Sequence, residues 1–564
     1  MRKFYCLVLA MLCLKNISAQ IVYDNPLDSG VLVTAGKNIF KFAEPVSDGK
    51  NGVIILFSTY EKSDTIFVQR INSDGKIVWG NQNTAKIAAI KNSQDSDTEI
   101  WPSGVINDGN GGVFIEYYEY NISLEQGDVY VQHIDSNGNR LMNPGGVKVV
   151  GNGHRMIGYD LISDGGSGII IAWVEDQYDY PNGVFQYSEA FVQKFSSTGT
   201  PQWQSGGIQL CHAVGMRRTI NLVPDGSNGA VAVFDDSRNC VPLNNFDNLD
   251  LYAQRIDNNG SLQWSQTGVP VSTVSLTQQL VKTIKQSNGQ GYLVSYTTNP
   301  GGNFTGGKEL YIQHLDNAGQ ITWQQDEGSL IAIAEDGRGL ESAAFESDGS
   351  GGAVLYWNDI DSANFDYTAF IQRVNASGDT VWPSAKINLL NGPGAYHTAV
   401  NMKRDIQGNF VYSAIAETAD YSDGNFKLQK VDSNNNAKWG ASGKNYVFRG
   451  DAILPTNDGI IVLFLRNYGE EITSFPYSQY ENLLAYKVDF NGNLVWSSTP
   501  YRTMADGDWN DPLIWETGFV PPATGNITIS NHLHVTENAV CNSLKILPGG
   551  NVTVDAGVAL TVTH

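Results

Sequence analysis

The chain has 564 residues, 17% of them charged and 41% hydrophobic, and its formal net charge is −22. A chain with this charge lacks the excess of basic residues that binds nucleic acids and anionic lipids. We therefore expect neither as a partner. No apolar run after the N-terminal segment approaches the roughly 18 residues of a spanning helix, and long segments with a helical period are missing, which favours an all-β protein.

The N-terminal segment has the pattern of a secretory signal. Arg2 and Lys3 precede the apolar stretch Phe4 to Leu14, and Ile17-Ser18-Ala19 forms a small-residue cleavage site. This order is typical of a signal peptide over residues 1–19, followed by a mature chain from Gln20. We therefore expect an exported protein, secreted or held at the outer cell surface.

A repeat fills most of the mature chain. Each copy opens with a Gly-rich turn and closes with an aromatic residue, at an offset of about 53 to 63 residues, which indicates a solenoid, a propeller or an array. The opening turns are Asp48-Gly49, Asp108-Gly109, Asp164-Gly165, Asp225-Gly226, Asn288-Gly289, Asp348-Gly349, Asp405 to Gly408, and Asp458-Gly459. The closing residues are Trp79, Leu141, Trp203, Trp264, Trp323, Trp382, Trp439 and Trp496.

The fourth copy shows the content of one unit. Ala230 to Phe234 predicts a strand buried on both faces, Asp250 to Asp257 a second strand, and Asn258-Asn259-Gly260 a hairpin turn into a third. Four short antiparallel strands per unit form a propeller blade. The second strand repeats a Gln beside a basic residue, and we call the repeated positions the Gln column and the basic column. We expect the Gln to be buried and hydrogen-bonded to the adjacent blade. We expect the basic column, in which His133 and His314 are variants, to lie at the surface.

The two ends of the repeat region complement each other. The eighth unit ends at Trp496 without a last strand, whereas Gly30-Val31-Leu32-Val33 stands alone before the first unit. If this N-terminal strand completes the last blade, the ring closes and its open edges disappear. We predict an eight-bladed propeller over residues 20–500, with seven blades as the alternative.

These units resemble a repeat of secreted bacterial proteins, found for instance in Bacteroidota, which reads Asp-Gly-x-Gly-Gly, then Asp-x-Tyr-x-Gln-Arg-Ile-Asp, then Gly before Trp. The fourth unit carries the resemblance through Asp235, Asp236, Arg238 and the run from Asp250 to Asp257. The resemblance implies a β-propeller and assigns no activity to any residue.

The pattern changes after residue 504. Asp506 to Trp515 resembles an opening motif of exported Bacteroidota proteins, and short alternating strands follow. We expect residues 505–564 to begin a β-solenoid or a β-sandwich-like module. The chain stops at His564 directly after a strand, so the module is expected to be incomplete, and a sorting domain for type IX secretion would be one continuation.

Acidic loop clusters are the candidate binding residues. They recur at one loop position of the repeat, which places them on one rim: Asp235, Asp236, Arg238 and Asp250; Asp359 and Asp361; Glu175, Asp176 and Asp179. A calcium site at Asp235 and Asp236, a glycan site and merely solvated loops all remain open. Aromatics of the same loops are candidates for stacking on sugars: Tyr178, Tyr180, Phe246, Phe304, Phe365 and Tyr367.

Cysteine chemistry and catalysis have weaker signals. Cys211 and Cys240 are disulfide candidates in an oxidising compartment, with unpaired thiols as the alternative. We find no nucleophile elbow, phosphate loop or zinc-protease motif. The sequence favours a non-enzymatic, monomeric propeller that binds a glycan or a surface protein, with no cofactor other than calcium; a polysaccharide hydrolase or lyase using rim or channel carboxylates is the alternative.

Overall fold

The computed structural model describes residues 31–33, 39–59, 62–81, 84–124, 126–150, 155–179, 184–242, 248–299, 308–323, 328–334, 338–361, 366–383, 395–418, 425–440, 443–446, 452–467, 481–496, 501–511, 514–515, 520–521, 526–541 and 543–563. The predicted signal peptide lies outside these residues. By its contacts the chain forms two compact units, residues 33–483 on the one hand and residues 484–564 with the first 32 residues on the other.

The fold is an eight-bladed β-propeller of small antiparallel sheets, followed by a short module of parallel strands. The first strand, β1 (Val31–Leu32), belongs to blade 8, and blade 1 consists of β2 (Ile39–Phe42), β3 (Val46–Ser47), β4 (Val53–Thr59), β5 (Lys62–Ile71), β6 (Gly80–Asn81) and β7 (Thr84–Ile90). Blade 2 consists of β8 (Thr98–Asn107), β9 (Val113–Asn121), β10 (Gln126–Ile134) and β11 (Val147–Lys148), and blade 3 of β12 (Arg155–Ser163), β13 (Ile169–Asp179), β14 (Val184–Phe195) and β15 (Ile208–Gln209). Blade 4 consists of β16 (Ile220–Pro224), β17 (Ala230–Asp236), β18 (Asp250–Ile256) and β19 (Val269–Ser272).

The remaining blades repeat this order. They are blade 5, β20 (Thr277–Lys285), β21 (Gly291–Asn299), β22 (Glu309–Asp316) and β23 (Ser329–Ile333); blade 6, β24 (Arg338–Ser347), β25 (Ala353–Asp361) and β26 (Asp366–Val374); blade 7, β27 (Ala395–Arg404), β28 (Phe410–Thr418), β29 (Asn425–Val431) and β30 (Lys444–Tyr446); and blade 8, β31 (Ala452–Thr456), β32 (Gly459–Asn467) and β33 (Glu481–Val488), completed by β1. The prediction of eight blades is confirmed.

The N-terminal strand closes the last blade, as predicted. β1 pairs antiparallel with β33, Val31 opposite Ala485, and the Val33 N–H donates to the carbonyl of Leu483 at 2.9 Å. Blades 8 and 1 also meet at their turns, where the Asn457 N–H donates to Asn51 Oδ1 at 3.0 Å. The ring is therefore joined at two levels.

The hydrophobic core lies between blades, because each cluster of buried side chains draws on two successive sheets. Val192 of blade 3 packs with Ile220 and Phe234 of blade 4, for example. Both faces of a blade are thus covered, which explains why its second strand, such as Ala230 to Phe234, is apolar and buried throughout. Burying each large side chain contributes about 1.5–3 kcal/mol.

The first strand of each blade is the innermost. These strands contact one another from blade to blade around a central channel: β8 and β12, β12 and β16, β16 and β20, β20 and β24, β24 and β27, β27 and β31. We call the end of the propeller that carries the Gly-rich and hairpin turns the turn rim. The opposite end, with the loops between second and third strands and the links between blades, is the loop rim.

Repeated polar contacts hold each blade together at the turn rim. In blade 4, Asp225 Oδ1 accepts the N–H groups of Ser227 (2.7 Å) and Gly229 (2.9 Å), and its Oδ2 pairs with Arg255 at 3.0 Å. Equivalent ion pairs join Asp48 and Arg70, Asp108 and His133, Asp164 and Lys194, Asp348 and Arg373, and Asp405 and Lys430. The basic column is therefore a buried or half-buried structural element, and our prediction that it lies at the surface is wrong.

Blade 5 is the exception at this position. Gln286 replaces the aspartate, and its Oε1 lies 2.8 Å from His314 Nε2, while its Nε2 donates to the Gly351 carbonyl of blade 6 at 2.7 Å. Burial lowers the pKa of His314. In this blade a Gln–His contact thus replaces the contact between an aspartate and a basic side chain.

The Gln column has a structural role within its own blade. Gln254 Oε1 accepts the backbone N–H groups of Arg255 (3.0 Å) and Trp264 (3.1 Å), and its Nε2 donates to the Ser265 carbonyl at 2.6 Å. The prediction that these glutamines are buried and structural is confirmed. The predicted partner, the adjacent blade, is wrong, because the strand after the hairpin turn of the same blade provides the backbone groups.

Closing tryptophans reach forward to the next blade, as Trp79, Trp203 and Trp382 do. Trp79 Nε1 donates to the Ser136 carbonyl in the hairpin turn of blade 2 at 3.1 Å. The glycine of that turn, Gly138, has φ +79° and lies under the indole so closely that a Cβ would be 2.9 Å from the Trp79 ring. The Trp and the Gly of the motif are thus two halves of one contact between blades.

The C-terminal strands pair in parallel. They are β34 (Tyr501–Arg502), β35 (Gly507–Asp508), β36 (Asn526–Ile529), β37 (His532–Val535), β38 (Ala539–Cys541), β39 (Ser543–Ile546), β40 (Asn551–Val554) and β41 (Leu560–Val562). They form three parallel sheets, β34-β36-β39, β35-β37-β40 and β38-β41, around a core that includes Trp509, Trp515 and Leu533. Of the two predicted modules, this arrangement is the β-solenoid.

Candidate functional site

The predicted acidic cluster of blade 4 is brought together at the loop rim, where it forms an internal ion network. Asp236 and Asp250 face each other across β17 and β18. The side chain of Asp236 is fully buried, and its Oδ2 contacts Arg238 Nη2 at 2.6 Å and Arg217 Nη2 at 3.0 Å. The charge of Asp236 is therefore already matched by two guanidinium groups.

Asp235 has a separate role, because neighbouring residues of a strand point to opposite faces. Its Oδ1 accepts the N–H groups of Arg218 (2.6 Å) and Thr219 (3.0 Å). Burial raises the pKa of Asp235, and these hydrogen bonds counteract the rise. Among the described residues no group of three or more His, Cys, Asp or Glu could hold a metal ion, and calcium at Asp235 and Asp236 stays a prediction.

The two cysteines of this region are not bonded to each other. Cys211 Sγ lies 3.1 Å from Nη2 of both Arg217 and Arg238, whereas Cys240 Sγ donates to the Asn248 carbonyl at 3.0 Å. The predicted disulfide is therefore not formed in the structure, because each sulfur is engaged with different neighbours.

Asp250 is the least satisfied acid of the cluster. Asn239 Nδ2 donates to its Oδ2 at 2.5 Å, while its buried Oδ1 has no hydrogen-bond partner. Burial first, and then the charge of Asp236, raise the pKa of Asp250 to about 6. The Arg238 guanidinium covers the Tyr252 ring at 3.4 Å and closes the cluster toward that side.

The other predicted rim residues either already contact other residues of the protein or have side chains outside the described part of the chain. Asp359 forms a buried ion pair with Arg338, and Glu175 accepts from Trp173 Nε1 at 2.8 Å. Asp361 ends β25 opposite Arg338, but its side chain lies outside the description. The same holds for the side chains of Asp179, Tyr178 and Tyr367 and for the whole of Tyr180, Phe246, Phe304 and Phe365.

A second polar cluster, which the sequence reasoning did not single out, lies on the channel side of blades 2 to 5. The strand registers place one inner-strand residue per blade at a common level: Gly104, Asp160, Asn221, Lys282, Ala344 and Asn401, opposite Glu116, Ala172, Val233, Ser295, Tyr356 and Ser413 of the second strands. We call this level the channel ring.

Glu116 is the unusual member of the second strands. It is 2% exposed, its Oε2 is 3.4 Å from Ser103 Oγ, and its Oε1 has no hydrogen-bond partner. The side chain occupies the space over Gly104, where a Cβ would be 2.9 Å from Oε2. Burial, reinforced by the charge of Asp160, raises the pKa of Glu116 well above its ordinary value.

Asp160 is the neighbouring carboxyl of the channel ring. The N–H groups of Leu161 (2.8 Å) and of Leu222 in blade 4 (2.7 Å) donate to its two oxygens. Burial nevertheless raises the pKa of Asp160 to about 6, because these bonds and the charge of Lys282 compensate only in part. Asn221, next along the ring, has its Oδ1 buried without a partner.

The cations of the channel are paired on its other side. Lys403 Nζ lies 2.7 Å from Glu44 Oε1 and 3.3 Å from Glu346 Oε1, and Lys282 Nζ lies 3.5 Å from the same Glu346 oxygen. This chain of contacts links the inner segments of blades 1, 5, 6 and 7. The unmatched acceptors are therefore concentrated toward blades 2 to 4.

A row of adjacent aromatic side chains in blades 2 and 3, which we call the aromatic ladder, leads from the loop rim toward the channel ring. Trp101 and Tyr120 have ring centroids 5.2 Å apart, Tyr120 and Tyr118 5.6 Å, and Tyr118 and Tyr159 6.0 Å. Tyr159 immediately precedes Asp160. Burial first, and then the charge of Glu116, raise the pKa of Tyr159 to about 12. Trp101, Tyr120 and Tyr159 are only half-buried, so ring surface remains open to a ligand.

One signal for this site was readable in the sequence. Glu116 interrupts the apolar run Val113-Phe114-Ile115-Glu116-Tyr117 at a position where other blades have Leu56, Ala172 or Val233. A charged residue in an otherwise buried column marks a blade-specific feature. The aromatic ladder, by contrast, depends on which face of each strand meets blade 3.

No protein-family model and no curated protein matches the chain. Solved structures resemble it at low identity: an ulvan lyase from a new family of polysaccharide lyases, bound to -[GlcA(1-4)Rha3S]- (11% identity, 83% of this chain and 97% of that chain, TM-score 0.39); the Dos1 propeller (11%, 76% and 91%, TM-score 0.34); and a puromycin-hydrolysing peptidase of Mycobacterium tuberculosis (10%, 77% and 60%, TM-score 0.38). The chain thus spans 60% of that peptidase. The likenesses concern the fold and assign no activity. Within the described part of the chain, no helix is long and apolar enough to cross a membrane.

Proposed function

We propose that this protein is an exported, non-enzymatic propeller that binds a glycan at the blade 2 and blade 3 side of its channel. The observation that carries the proposal is the aromatic ladder from Trp101 to Tyr159, together with the nearby Glu116, whose buried Oε1 has no hydrogen-bond partner. Aromatic faces pack against apolar faces of sugar rings, and carboxyl and amide groups fix the orientation of hydroxyls. A cell-surface protein, and a role as a scaffold for it, remain the second class of partner.

The loop-rim acids support recognition at the channel more than at the rim. Asp236 and Asp359 are neutralised by arginines of the same fold, so they stiffen the loops and have little remaining capacity for a ligand. Export rests on the predicted signal peptide, and the charge of −22 disfavours nucleic acid and anionic membranes.

A panel of polysaccharides, titrated into residues 20–564 with calcium or with a chelator, tests the proposal. We expect saturable binding without released product, and Trp101→Ala or Tyr159→Ala should weaken it on the order of tenfold, since one stacked ring contributes about 1 kcal/mol. Tyr159→Phe keeps the ring and is the matched control.

Three outcomes count against parts of the proposal. Binding that persists in both alanine variants places the glycan elsewhere, and loss of binding with chelator moves it to a calcium site. Silence over the whole panel favours a protein partner.

The alternative function, a polysaccharide hydrolase or lyase, is favoured by one observation. Burial raises the pKa of Glu116 well above its ordinary value and the pKa of Asp160 to about 6, and carboxyl groups with raised pKa values are what acid–base catalysis uses. Released sugars in the same panel, abolished by Glu116→Gln, would replace the non-enzymatic proposal with this one.

A further inference from the structure

One position at the loop rim is built from the same parts in blades 4 and 5. Two aromatic residues lie opposite each other on the second and third strands, and a polar pair follows two residues nearer the rim, on the same face of the sheet. In blade 4 these are Phe234 with Tyr252 and Asp236 with Asp250; in blade 5 they are Tyr296 with Tyr311 and Thr298 with Glu309. Blade 4 therefore shows what chemistry this position accepts.

Blade 4 fills the position with an arginine of its own. The Arg238 guanidinium lies 3.4 Å from the centre of the Tyr252 ring, and its Nη2 lies 2.6 Å from Asp236 Oδ2. A cation that lies over a tyrosine ring and beside a carboxylate is stabilised by both contacts. A guanidinium group is thus the occupant that this combination of ring and acid holds within the fold.

In blade 5 the same position is a cavity of about 750 Å³. It is lined by the link before the blade, residues 273–276, and by Tyr296, Thr298, Glu309 and Tyr311. The two tyrosine rings are stacked, with their centroids 5.5 Å apart. Glu309 Oε2 accepts hydrogen bonds from Thr298 Oγ1 at 3.0 Å and from the Tyr311 hydroxyl at 3.1 Å. Direct contacts therefore join the acid to the aromatic pair inside one cavity.

The carboxylate of this cavity lacks a matching cation. Among the residues that the structure describes, no Lys or Arg forms an ion pair with Glu309, and its two hydrogen bonds come from neutral hydroxyl groups. Lys308 precedes it but reaches blade 6, where its Nζ donates to the Arg338 carbonyl. Residues 300–307, between the second and third strands of this blade, include no Lys or Arg in their sequence. A partner has to bring the charge that Arg238 supplies in blade 4.

We propose that this cavity binds an arginine side chain from a peptide segment of a partner protein. The site is separate from the proposed glycan site, which belongs to blades 2 and 3. A guanidinium is planar, stacks on aromatic rings and donates two parallel hydrogen bonds to a carboxylate, whereas an ammonium group is a compact and strongly hydrated charge. The net charge of −22 also attracts a basic segment.

A peptide fits the cavity better than a small guanidinium compound does. The cavity volume exceeds that of one arginine side chain, so residues on either side of the arginine have room as well. Thr273 and Ser275 of the lining are exposed, and their hydroxyl groups can donate to or accept from a peptide backbone. We therefore expect the flanking residues to add affinity.

Three blocked pentapeptides test the proposal by calorimetric titration into residues 20–564. They are acetyl-Ala-Ala-X-Ala-Ala-amide with arginine, lysine or citrulline at X, and citrulline keeps the shape of arginine without its charge. We expect the arginine peptide to bind at least tenfold more tightly than the citrulline peptide, with the lysine peptide between them. Acetyl-arginine amide, which has the side chain without flanking residues, should bind more weakly than the arginine pentapeptide.

Two variants locate the effect. Glu309→Gln removes the charge but keeps an acceptor for Thr298 and Tyr311, and it should abolish most of the preference for arginine over citrulline. Asp316→Asn is the matched control, because it removes the same charge from the opposite end of the same strand, at the turn rim. The preference should persist in this control, and melting curves show that both variants are folded.

The outcomes either support or overturn the inference. Equal affinities for the arginine and citrulline peptides, or binding of neither, would overturn it. A preference that survives Glu309→Gln in a folded protein would place the arginine elsewhere and overturn it too. If acetyl-arginine amide bound as tightly as the pentapeptide, the peptide source would be wrong. Glycan binding is scored separately, because the aromatic ladder is intact in both variants.

Discussion

Asp108 of blade 2 and Asp348 of blade 6 make the same contacts at the turn rim: two backbone N–H groups on one carboxylate oxygen and a basic side chain on the other. At the loop rim and along the channel, the same two blades differ. Blade 2 has Glu116 over a glycine, and blade 6 has Tyr356 at the equivalent position. Repetition thus marks the contacts that hold each blade together, and deviation from it marks the residues that we propose for recognition.

The largest effect is expected from removing a turn-rim aspartate. Asp405→Ala deletes the partner of Lys430, whose side chain is 4% exposed, in a 2.8 Å ion pair, and also the acceptor for the N–H groups of Gln407 and Asn409. We expect a loss of about 3–5 kcal/mol in unfolding free energy, measured by denaturant titration, with ligand binding unchanged. Asp405→Asn keeps the hydrogen-bond acceptor and should lose less unfolding free energy. If Asp405→Ala were as stable as the wild type, the repeated contacts would not be the ones that stabilise the blades.

The loop rim of blade 4 sharpens the comparison, because it contains a buried ion network that is specific to one blade. Asp236→Asn leaves Arg217 and Arg238 without the charge between them, and a loss on the order of 3 kcal/mol is expected. Calorimetric melting of the variant measures it. If the melting temperature were instead unchanged while glycan binding fell, the cluster would belong to recognition rather than to the scaffold.

A glycine pair in blade 2 separates backbone strain from packing at the turn rim. Gly109 and Gly138 have φ of +78° and +79°, but an added Cβ meets nothing within 4 Å at Gly109 and lies 2.9 Å from Trp79 at Gly138. Gly109→Ala should cost about 1 kcal/mol for the left-handed conformation, and Gly138→Ala a further 1–2 kcal/mol for overpacking. Equal losses in urea titrations would contradict the contact between Gly and Trp that we describe.

The smallest effect concerns the channel ring and depends on pH. The folded-state pKa of Asp160, about 6, lies above its ordinary value of 3.8, so protonation stabilises the fold below pH 4 and this contribution is lost as pH rises through 6. The stability of Asp160→Asn relative to the wild type should therefore increase between pH 4 and pH 7.5, by an amount on the order of 2 kcal/mol. Melting curves over that range test it, and a difference independent of pH would show that Asp160 is solvated like a surface acid.

The repeated features of the molecule could be predicted from the sequence, whereas the features specific to one blade could be predicted less well. Trp203, Gly260 and Gln254 recur in register, so the number of blades, the closing strand and the buried glutamines were predictable. The direction of the Gln contact was not, because an adjacent blade and the following strand of the same blade lie at similar distances from a buried strand. Pairs such as Asp225 and Arg255 were also missed, since nothing in a strand pattern shows that two charges on different strands meet.

The candidate site was less accessible to sequence reasoning. Asp235, Asp236 and Asp250 stood out as acids in a loop, but Arg217, which neutralises Asp236, comes from the link before the blade and has no recurring position. Glu116 was readable as an interruption of an apolar strand. Its neighbours Asp160 and Asn221 share its level only because three successive blades align their inner strands, a relation that one linear repeat does not reveal.

The pairing of Val31 with Ala485 also sets an order of events in biogenesis. Of the described strands, β1 is synthesised first and its partner β33 follows more than four hundred residues later, so the ring can be closed only after all eight blades have been made. Until then, β1 has no strand to pair with, and a product that stops before β33 cannot close the ring. Closure therefore depends on length: only a chain that has been made to the end of its repeats can pair both edge strands of the repeat region.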